Sequence, residues 1–107
     1  MKVKIQIPSI NIWESEIREL IRRRRRQIAV HSIIYYKLDT NIISDTTFDK
    51  WCHELIELQR KYPKVAQSVE LNQYFENLTH ASGFNLQCLD DPSLVNTAKR
   101  LIKSKKG

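Results

Sequence analysis

The scarcity of turn-forming residues constrains this chain more than any other feature, because its 107 residues include only two glycines and three prolines. Glycine adopts positive φ without steric cost and proline fixes the first corner of many turns, so few tight turns can be built. Good helix formers such as Leu, Glu, Gln, Lys and Arg fill much of the sequence. We therefore predict an all-α fold in a single domain over residues 1–107, since separate cores need a longer chain.

Four segments carry helical signals, and they predict a small bundle of about four helices. In each segment apolar residues recur at spacings of three and four, and polar cap residues or proline mark its ends. Val3, Ile5 and Ile7 alternate with polar residues, which predicts a short N-terminal strand that lies over the helices or pairs with a second copy of the chain. The predicted helices cover residues 11–36, 46–62, 65–81 and the stretch from 92 onward, with Asn11, Ser44 and Asp91 at their starts.

Charge is unevenly distributed along the chain, whose net charge is +6. Residues 1–30 and 99–107 are strongly basic, whereas residues 31–98 hold nine acidic and five basic residues. A phosphate backbone would therefore be contacted by the two ends. We see no secretory signal or apolar run of membrane-spanning length, so we expect a cytoplasmic protein, in the host cytoplasm if it is viral. The histidines and cysteines lack metal-ligand spacing, so no metal site is expected.

Residues 35–49, YYKLDTNIISDTTFD, place an aromatic pair before a Leu-Asp dipeptide, a short loop and an Asp-x-x-Phe-Asp group. That group opens a helix ending in Tyr62-Pro63. The order resembles the small N-terminal domain, often called Ia, of NAD-dependent DNA ligases, without a gap over about residues 15–64. The resemblance implies an Ia-like helical pair as the core, with residues 65–107 as an extra helical C-terminal part.

The family's domain closes over the nicotinamide mononucleotide half of NAD, so the resemblance implies a nicotinamide nucleotide as ligand. Phe48 stands where the family has tyrosine, which removes one hydroxyl group but keeps a ring. His31 matches a histidine often found one helical turn before the aromatic pair. The implied contacts are Tyr35 and Phe48 to the ring, Tyr36 at a place filled by Tyr or His, Asp45 and Asp49 as polar groups, and His31.

The same residues suit this ligand chemically, although each also has an ordinary structural explanation. Aromatic faces attract a cationic pyridinium ring, and carboxylates accept hydrogen bonds from ribose hydroxyls. A 5′-phosphate would need another partner, His31 or an arginine of the first helix. Alternatively the two tyrosines are core or rim aromatics, Asp45 complements the helix dipole, Asp49 is a solvated neighbour, and His31 is a hydrogen-bonded core histidine.

No catalytic arrangement is recognisable, so we predict that the protein is not an enzyme. Lys37-Leu38-Asp39-Thr40 imitates a nucleotidyltransferase motif but lacks its glycine and the later motifs. The leading hypothesis is a non-catalytic binding module for NAD, nicotinamide mononucleotide or an NAD-derived nucleotide, with no required cofactor. Such a module would suit a small viral (phage) or accessory protein.

A run of five arginines supports an alternative function. Consecutive residues radiate around a helix, so they do not form one flat patch, and a solvated face paired with Glu14, Glu16 and Glu19 is the ordinary explanation. Arg24 lies on the apolar stripe and is expected to be buried or paired. The alternative is an interaction protein that binds nucleic acid, or a replication or repair partner such as a ligase, through its basic ends. The candidate phosphate contacts are Arg22, Arg23, Arg24, Arg25 and Arg26.

Overall fold

A computed structural model describes residues 10–76, 78 and 86–106 of the chain. This part is helical and contains no strand, which confirms the all-α prediction; the predicted strand over residues 3–7 lies outside the described residues. The helices are α1 (Ile10–Tyr36), α2 (Asp45–Lys61), α3 (Pro63–Gln67), α4 (Asn72–Phe75) and α5 (Pro92–Lys106), with a 3-10 helix at Leu86–Asp90 before α5.

The 27-residue helix α1 is the centre of the molecule, and both α2 and α5 pack against it. Ile28, Ala29 and Val30 are consecutive and all buried, which requires neighbours on more than one side of the helix. The sequence predicted a single apolar stripe here, so it underestimated how much of α1 is enclosed. Leu55 of α2 and Leu94 of α5 complete the core on opposite parts of the helix surface.

The starts of α2 and α5 follow the predicted capping chemistry. Ser44 has extended backbone angles, and its Oγ accepts a hydrogen bond from the N–H of Thr47 at 3.1 Å. Asp91 Oδ1 accepts hydrogen bonds from the N–H groups of Ser93 and Leu94, at 3.0 and 3.3 Å. The predicted cap at Asn11 is wrong, because α1 already includes that residue.

The predicted helix over residues 65–81 is broken between α3 and α4, because the carbonyl oxygens there accept hydrogen bonds from the buried side chain of Arg25. Leu71 turns the chain with a φ of 70°, in the left-handed region that leucine enters only at a cost. A continuous helix would use the same carbonyl oxygens for its own N–H groups. The Arg25 guanidinium donates to the carbonyl oxygens of Ala66 and Val69 at 3.0 Å and of Glu70 at 3.2 Å.

Arg25, rather than Arg24, is therefore the enclosed member of the arginine run. Gln59 Oε1 accepts from its Nε and Nη2 at 3.0 and 2.9 Å, and Asn72 Oδ1 accepts from Nη2 at 3.2 Å. Burial lowers the pKa of Arg25 to about 10, so the guanidinium stays charged at neutral pH without a carboxylate partner. Arg24 is partly exposed and paired, its Nε lying 2.6 Å from Glu54 Oε1, so only the pairing predicted for it is confirmed.

Candidate functional site

A cleft of about 380 Å³ lies where the end of α1 meets the start of α2. Its walls come from these two helix ends and from the loop that joins them. The six residues predicted to contact a ligand all line this one cleft. They are His31, Tyr35 and Tyr36 on α1 and Asp45, Phe48 and Asp49 on α2; Ser32, Asn41, Ile43 and Ser44 complete the lining.

The loop between α1 and α2 turns the chain sharply enough to bring the two helix ends together. The N–H groups of Lys37 and Leu38 both donate to the carbonyl oxygen of Ile33, at 2.9 and 3.0 Å, and the second bond departs from the regular i to i−4 pattern at the end of α1. Asp39 then adopts a φ of 55°, which aspartate tolerates better than most residues. Asp45 and Asp49, one helical turn apart on α2, consequently share the side that faces the cleft.

Tyr35 and Tyr36 are on the rim of the cleft and not in the core. Their exposed fractions are 54% and 60%, and they are the exposed large hydrophobic residues of the described chain. The two rings form an edge-to-face pair with centroids 4.9 Å apart. Phe48 is half-buried against the core. The cleft therefore presents aromatic surface on both helices, and of the two structural alternatives, core or rim aromatics, the tyrosines take the rim position.

The carboxylates of Asp45 and Asp49 are exposed. Neither forms a salt bridge or side-chain hydrogen bond with another described residue, although Asp45 lies in the first turn of α2, where a negative charge complements the helix dipole. Their acceptor oxygens are therefore free of partners from this part of the chain. Such a pair favours a cation and can accept hydrogen bonds from hydroxyl groups.

His31 and Ser32 form the inner wall of the cleft on α1. The imidazole ring of His31 is half-buried and packs on Trp51, with centroids 5.3 Å apart. Its Nδ1 and the Oγ of Ser32 are the buried side-chain polar atoms without a hydrogen-bond partner among the described residues. Burial, and then the charge of Lys105, lower the pKa of His31, so its imidazole is neutral at pH 7.

Ser32 was missed by the sequence analysis, although one signal for it exists. It lies on the same face of α1 as the buried residues Ile21, Arg25 and Ile28, and it is 1% exposed. A hydroxyl at such a position is unusual, because buried polar groups are normally paired. Serine is so common on helix surfaces that its residue type alone did not single it out.

The two cysteines are not suited to nucleophilic chemistry. Burial, with a smaller contribution from Asp49, raises the pKa of Cys52 to about 11. Burial, with a contribution from Asp91, raises the pKa of Cys88 to about 12. Both thiols are therefore protonated at neutral pH. Within residues 10–76, 78 and 86–106, no group of histidine, cysteine or acidic side chains is placed to hold a metal ion.

The arginine run is largely engaged with acidic residues of the same chain. Arg22 Nε lies 3.2 Å from Glu70 Oε2, and Arg26 contacts the same carboxylate at 3.8 Å. Glu19 lies within 4.0 Å of both Arg22 and Arg23. These pairs agree with the interpretation as a salt-bridged face, although Glu70 was not among its predicted acids. Arg25 is buried, so it is not available as a phosphate contact.

Comparison with known proteins identifies one family and many relatives. Residues 14–69 match the family model for the DNA ligase-like, N-terminal NAD+-binding domain. The DNA ligase of Pseudothermotoga lettingae is 42% identical over 50 residues, and that of Methylococcus capsulatus is 33% identical over 51 residues. The DNA ligase of Anoxybacillus flavithermus is 35% identical over 54 residues.

These alignments cover about half of this chain, 47–50%, but only 7–8% of each ligase. The chain thus corresponds to a small part of the relatives that it matches. No solved structure matches the chain significantly. The six cleft residues predicted to contact a ligand all fall inside the matched segment, whereas α4, the 3-10 helix and α5 lie outside it. In the described part of the chain no helix combines the length and apolar character needed to cross a lipid bilayer.

Proposed function

This chain belongs to the DNA ligase-like, N-terminal NAD+-binding domain family, and on that premise we propose that its cleft binds a nicotinamide nucleotide without catalysing a reaction. The ligand would be NAD, nicotinamide mononucleotide or an NAD-derived nucleotide. One observation carries the proposal: three aromatic rings and two unpaired carboxylates, borne by adjacent helices, line one cleft.

The geometry suits each part of the mononucleotide. A volume of about 380 Å³ is within the usual range for small-ligand sites. The exposed rings of Tyr35 and Tyr36 offer their faces to the cationic nicotinamide, at roughly 0.5–2 kcal/mol for each contact. Asp45 and Asp49 add a favourable negative charge and can accept hydrogen bonds from the ribose diol.

The phosphate group requires a cation, and α5 rather than the arginine run supplies it in this proposal. Arg26, the last residue of the run, precedes Tyr35 by more than two helical turns, or over 10 Å. His31 is neutral at pH 7, so it contributes no full charge. The charge of Lys105 of α5 contributes to the lowered pKa of the His31 imidazole, and we assign this ammonium group to the phosphate.

Isothermal titration with nicotinamide mononucleotide tests the proposal on the full chain. We expect measurable heat at millimolar ligand, and weaker binding by Asp49→Asn because the favourable charge at the cleft is lost. Glu57→Gln is the matched control, since Glu57 is an exposed acid on α2 that pairs with Arg60 and does not line the cleft. A folded sample that gives no heat, or two variants that bind equally well, would contradict the proposal.

The non-catalytic role is proposed from the chemistry of the site. The buried thiols are protonated, and Lys37 Nζ lies 3.6 Å from the carboxylate of Asp90, outside the cleft lining. The cleft residues hold and orient a nucleotide, as would suit a viral or accessory protein that captures or senses it. Incubation with NAD should therefore return NAD unchanged, as followed by liquid chromatography; cleaved or transferred products would contradict this part.

A second candidate function, binding to nucleic acid or an acidic repair protein, is favoured by the outer face of α5. Residues 92–106 contain no acidic residue. Among the described residues, none forms a salt bridge with the exposed side chains of Lys99, Arg100, Lys103 and Lys105. This face is therefore a better phosphate contact than the arginine run, whose charges are engaged.

Salt dependence of DNA binding separates the two basic surfaces. Affinity measured by fluorescence anisotropy should fall steeply as salt rises, and Arg100→Gln should reduce the slope by about one unit. Arg22→Gln is the control, because Arg22 is already paired with Glu70. A slope that changes only with the Arg22 substitution would indicate that the arginine run, and not α5, contacts the DNA.

A further inference from the structure

We propose that His31 and Ser32 receive the carboxamide group of the nicotinamide ring, so that the cleft selects the amide over the corresponding carboxylic acid. This inference rests on the proposed function and adds a specificity element to the same site. Neither residue was assigned this role by the sequence, and Ser32 was not a predicted site residue at all.

Two adjacent residues of the cleft wall each carry a polar atom without a hydrogen-bond partner among the described residues. His31 Nδ1 and Ser32 Oγ are the only buried side-chain nitrogen or oxygen atoms without a partner in the described part of the chain. Leaving such an atom unpaired costs about 1–3 kcal/mol, so protein interiors contain few of them. Both residues line the cleft, and Ser32 is 1% exposed. The unmet hydrogen-bonding capacity therefore belongs to two neighbouring residues that both line the cleft.

A primary amide matches these two atoms in donor and acceptor type. With its proton on Nε2, a neutral imidazole offers Nδ1 as an acceptor, and the serine hydroxyl offers a donor. The amide nitrogen can donate to Nδ1 while the amide oxygen accepts from the hydroxyl. Neither protein atom is open to water in this structure, so contact with the ligand requires rotation of both side chains about their Cα–Cβ bonds.

A carboxylate would fit the same place poorly. It has no proton to donate to a neutral Nδ1, so that nitrogen would stay unpaired. Its negative charge would also enter a cleft that already contains Asp45 and Asp49. Discrimination arises because one buried hydrogen bond is lost and an unfavourable charge is introduced.

The test compares nicotinamide mononucleotide with nicotinic acid mononucleotide by isothermal titration of the full chain. We expect the amide to bind at least about tenfold more tightly than the acid, which corresponds to about 1.4 kcal/mol. Ser32→Ala should weaken amide binding and reduce the preference to about threefold or less. Its melting temperature should not fall, because the hydroxyl that it removes has no partner in the unliganded protein.

Two further variants keep the test decisive. Ser104→Ala on α5 is the matched control, since Ser104 is exposed and does not line the cleft; it should leave the preference unchanged. His31→Phe retains a ring against Trp51 but no nitrogen, and it should also reduce the preference. Tight amide binding with equal acid binding, or with a preference untouched by both cleft variants, would overturn this inference alone. Failure of both nucleotides to bind the unaltered chain would overturn the proposed function as well.

Discussion

Two regions of α1 differ in how their polar groups are paired. Around Arg25, in the middle of the helix, a fully enclosed charge has hydrogen-bond acceptors for every donor. At the C-terminal end, two buried polar atoms lack a partner among the described residues, and two tyrosine rings are exposed. Both regions carry residues that are unusual for their surroundings. Only in the first region do all the buried polar atoms have hydrogen-bond partners among the described residues.

This difference separates a structural role from a binding role on one helix. Arg25 joins α1 to α2, α3 and α4 through side-chain and carbonyl acceptors, so its charge serves the fold. In the cleft, by contrast, the side chains of Tyr35, Asp45 and Asp49 are exposed, and neither carboxylate has a partner among the described residues. We therefore expect substitutions in the first region to change stability and substitutions in the second to change affinity.

The largest expected effect is on stability, from Arg25→Met. The variant leaves the carbonyl groups of Ala66, Val69 and Glu70 without their donor, and an unpaired buried group costs about 1–3 kcal/mol. We expect the free energy of unfolding in urea to fall by about 3 kcal/mol or more. Arg23→Met, at an exposed and weakly paired position, is the control and should change it by less than about 0.5 kcal/mol. Equal losses from the two variants would remove the basis of the comparison.

Tyr35→Ala should instead lower the affinity for the nucleotide and leave the stability of the fold nearly unchanged. Because the side chain is 54% exposed, the free energy of unfolding should change by no more than about 0.5 kcal/mol. Loss of a ring that faces the nicotinamide should weaken nucleotide binding by roughly 0.5–2 kcal/mol, or about 2- to 30-fold by titration. Lower stability with unchanged affinity would place Tyr35 with the structural residues.

Phe48→Tyr should increase the affinity for the nucleotide by a smaller factor. The substitution adds the hydroxyl that the resemblance to the ligase domain implies at this position, on a half-buried ring that lines the cleft. One new hydrogen bond contributes about 0.5–1.5 kcal/mol, so affinity for nicotinamide mononucleotide should rise by roughly two- to tenfold. A weaker complex would indicate that the space beyond the ring is closed to the added oxygen.

The smallest expected effect is a pH dependence of stability that originates at His31. Burial and Lys105 lower its pKa from 6.5, so the unfolded chain binds a proton more readily than the folded one. The stabilisation is therefore complete above pH 6.5, and it is lost as the pH falls through the pKa of the folded state. His31→Gln should flatten this acid limb of the urea-denaturation profile. His53→Gln, on the exposed side of α2, should change it less. Equal effects of the two substitutions would show that groups other than His31 cause the loss of stability in acid.

The sequence predicted the elements whose signals are local. The boundaries of α2 and α5 follow from Ser44, Pro63 and Asp91, which act within one helical turn of their own positions. Six of the residues that line the cleft were predicted from the resemblance to the ligase domain, and a short loop between the two helices brings them together. Whether they bind a nucleotide stays a prediction.

The sequence did not predict the features that depend on distant contacts. Arg24 and Arg25 differ by only 100° around α1, and only the carbonyl groups near residues 66–70 decide which one is enclosed. The break between α3 and α4 has the same cause, since no glycine or proline marks Leu71 as a left-handed residue. Ser32 was missed because lack of a hydrogen-bond partner is a property of the folded molecule.

The contact between Trp51 and His31 has a practical consequence, because it gives the cleft a built-in optical reporter. Indole emission responds to the polarity of its surroundings and to nearby electron acceptors, and a pyridinium ring is such an acceptor. Trp51 lies directly behind a residue of the cleft wall. The chain's other tryptophan, Trp13, is at a position on α1 about 27 Å from that of His31 along the helix axis. Occupancy of the cleft should therefore quench the two fluorophores unequally, and the unmodified protein would signal its own saturation without an attached dye.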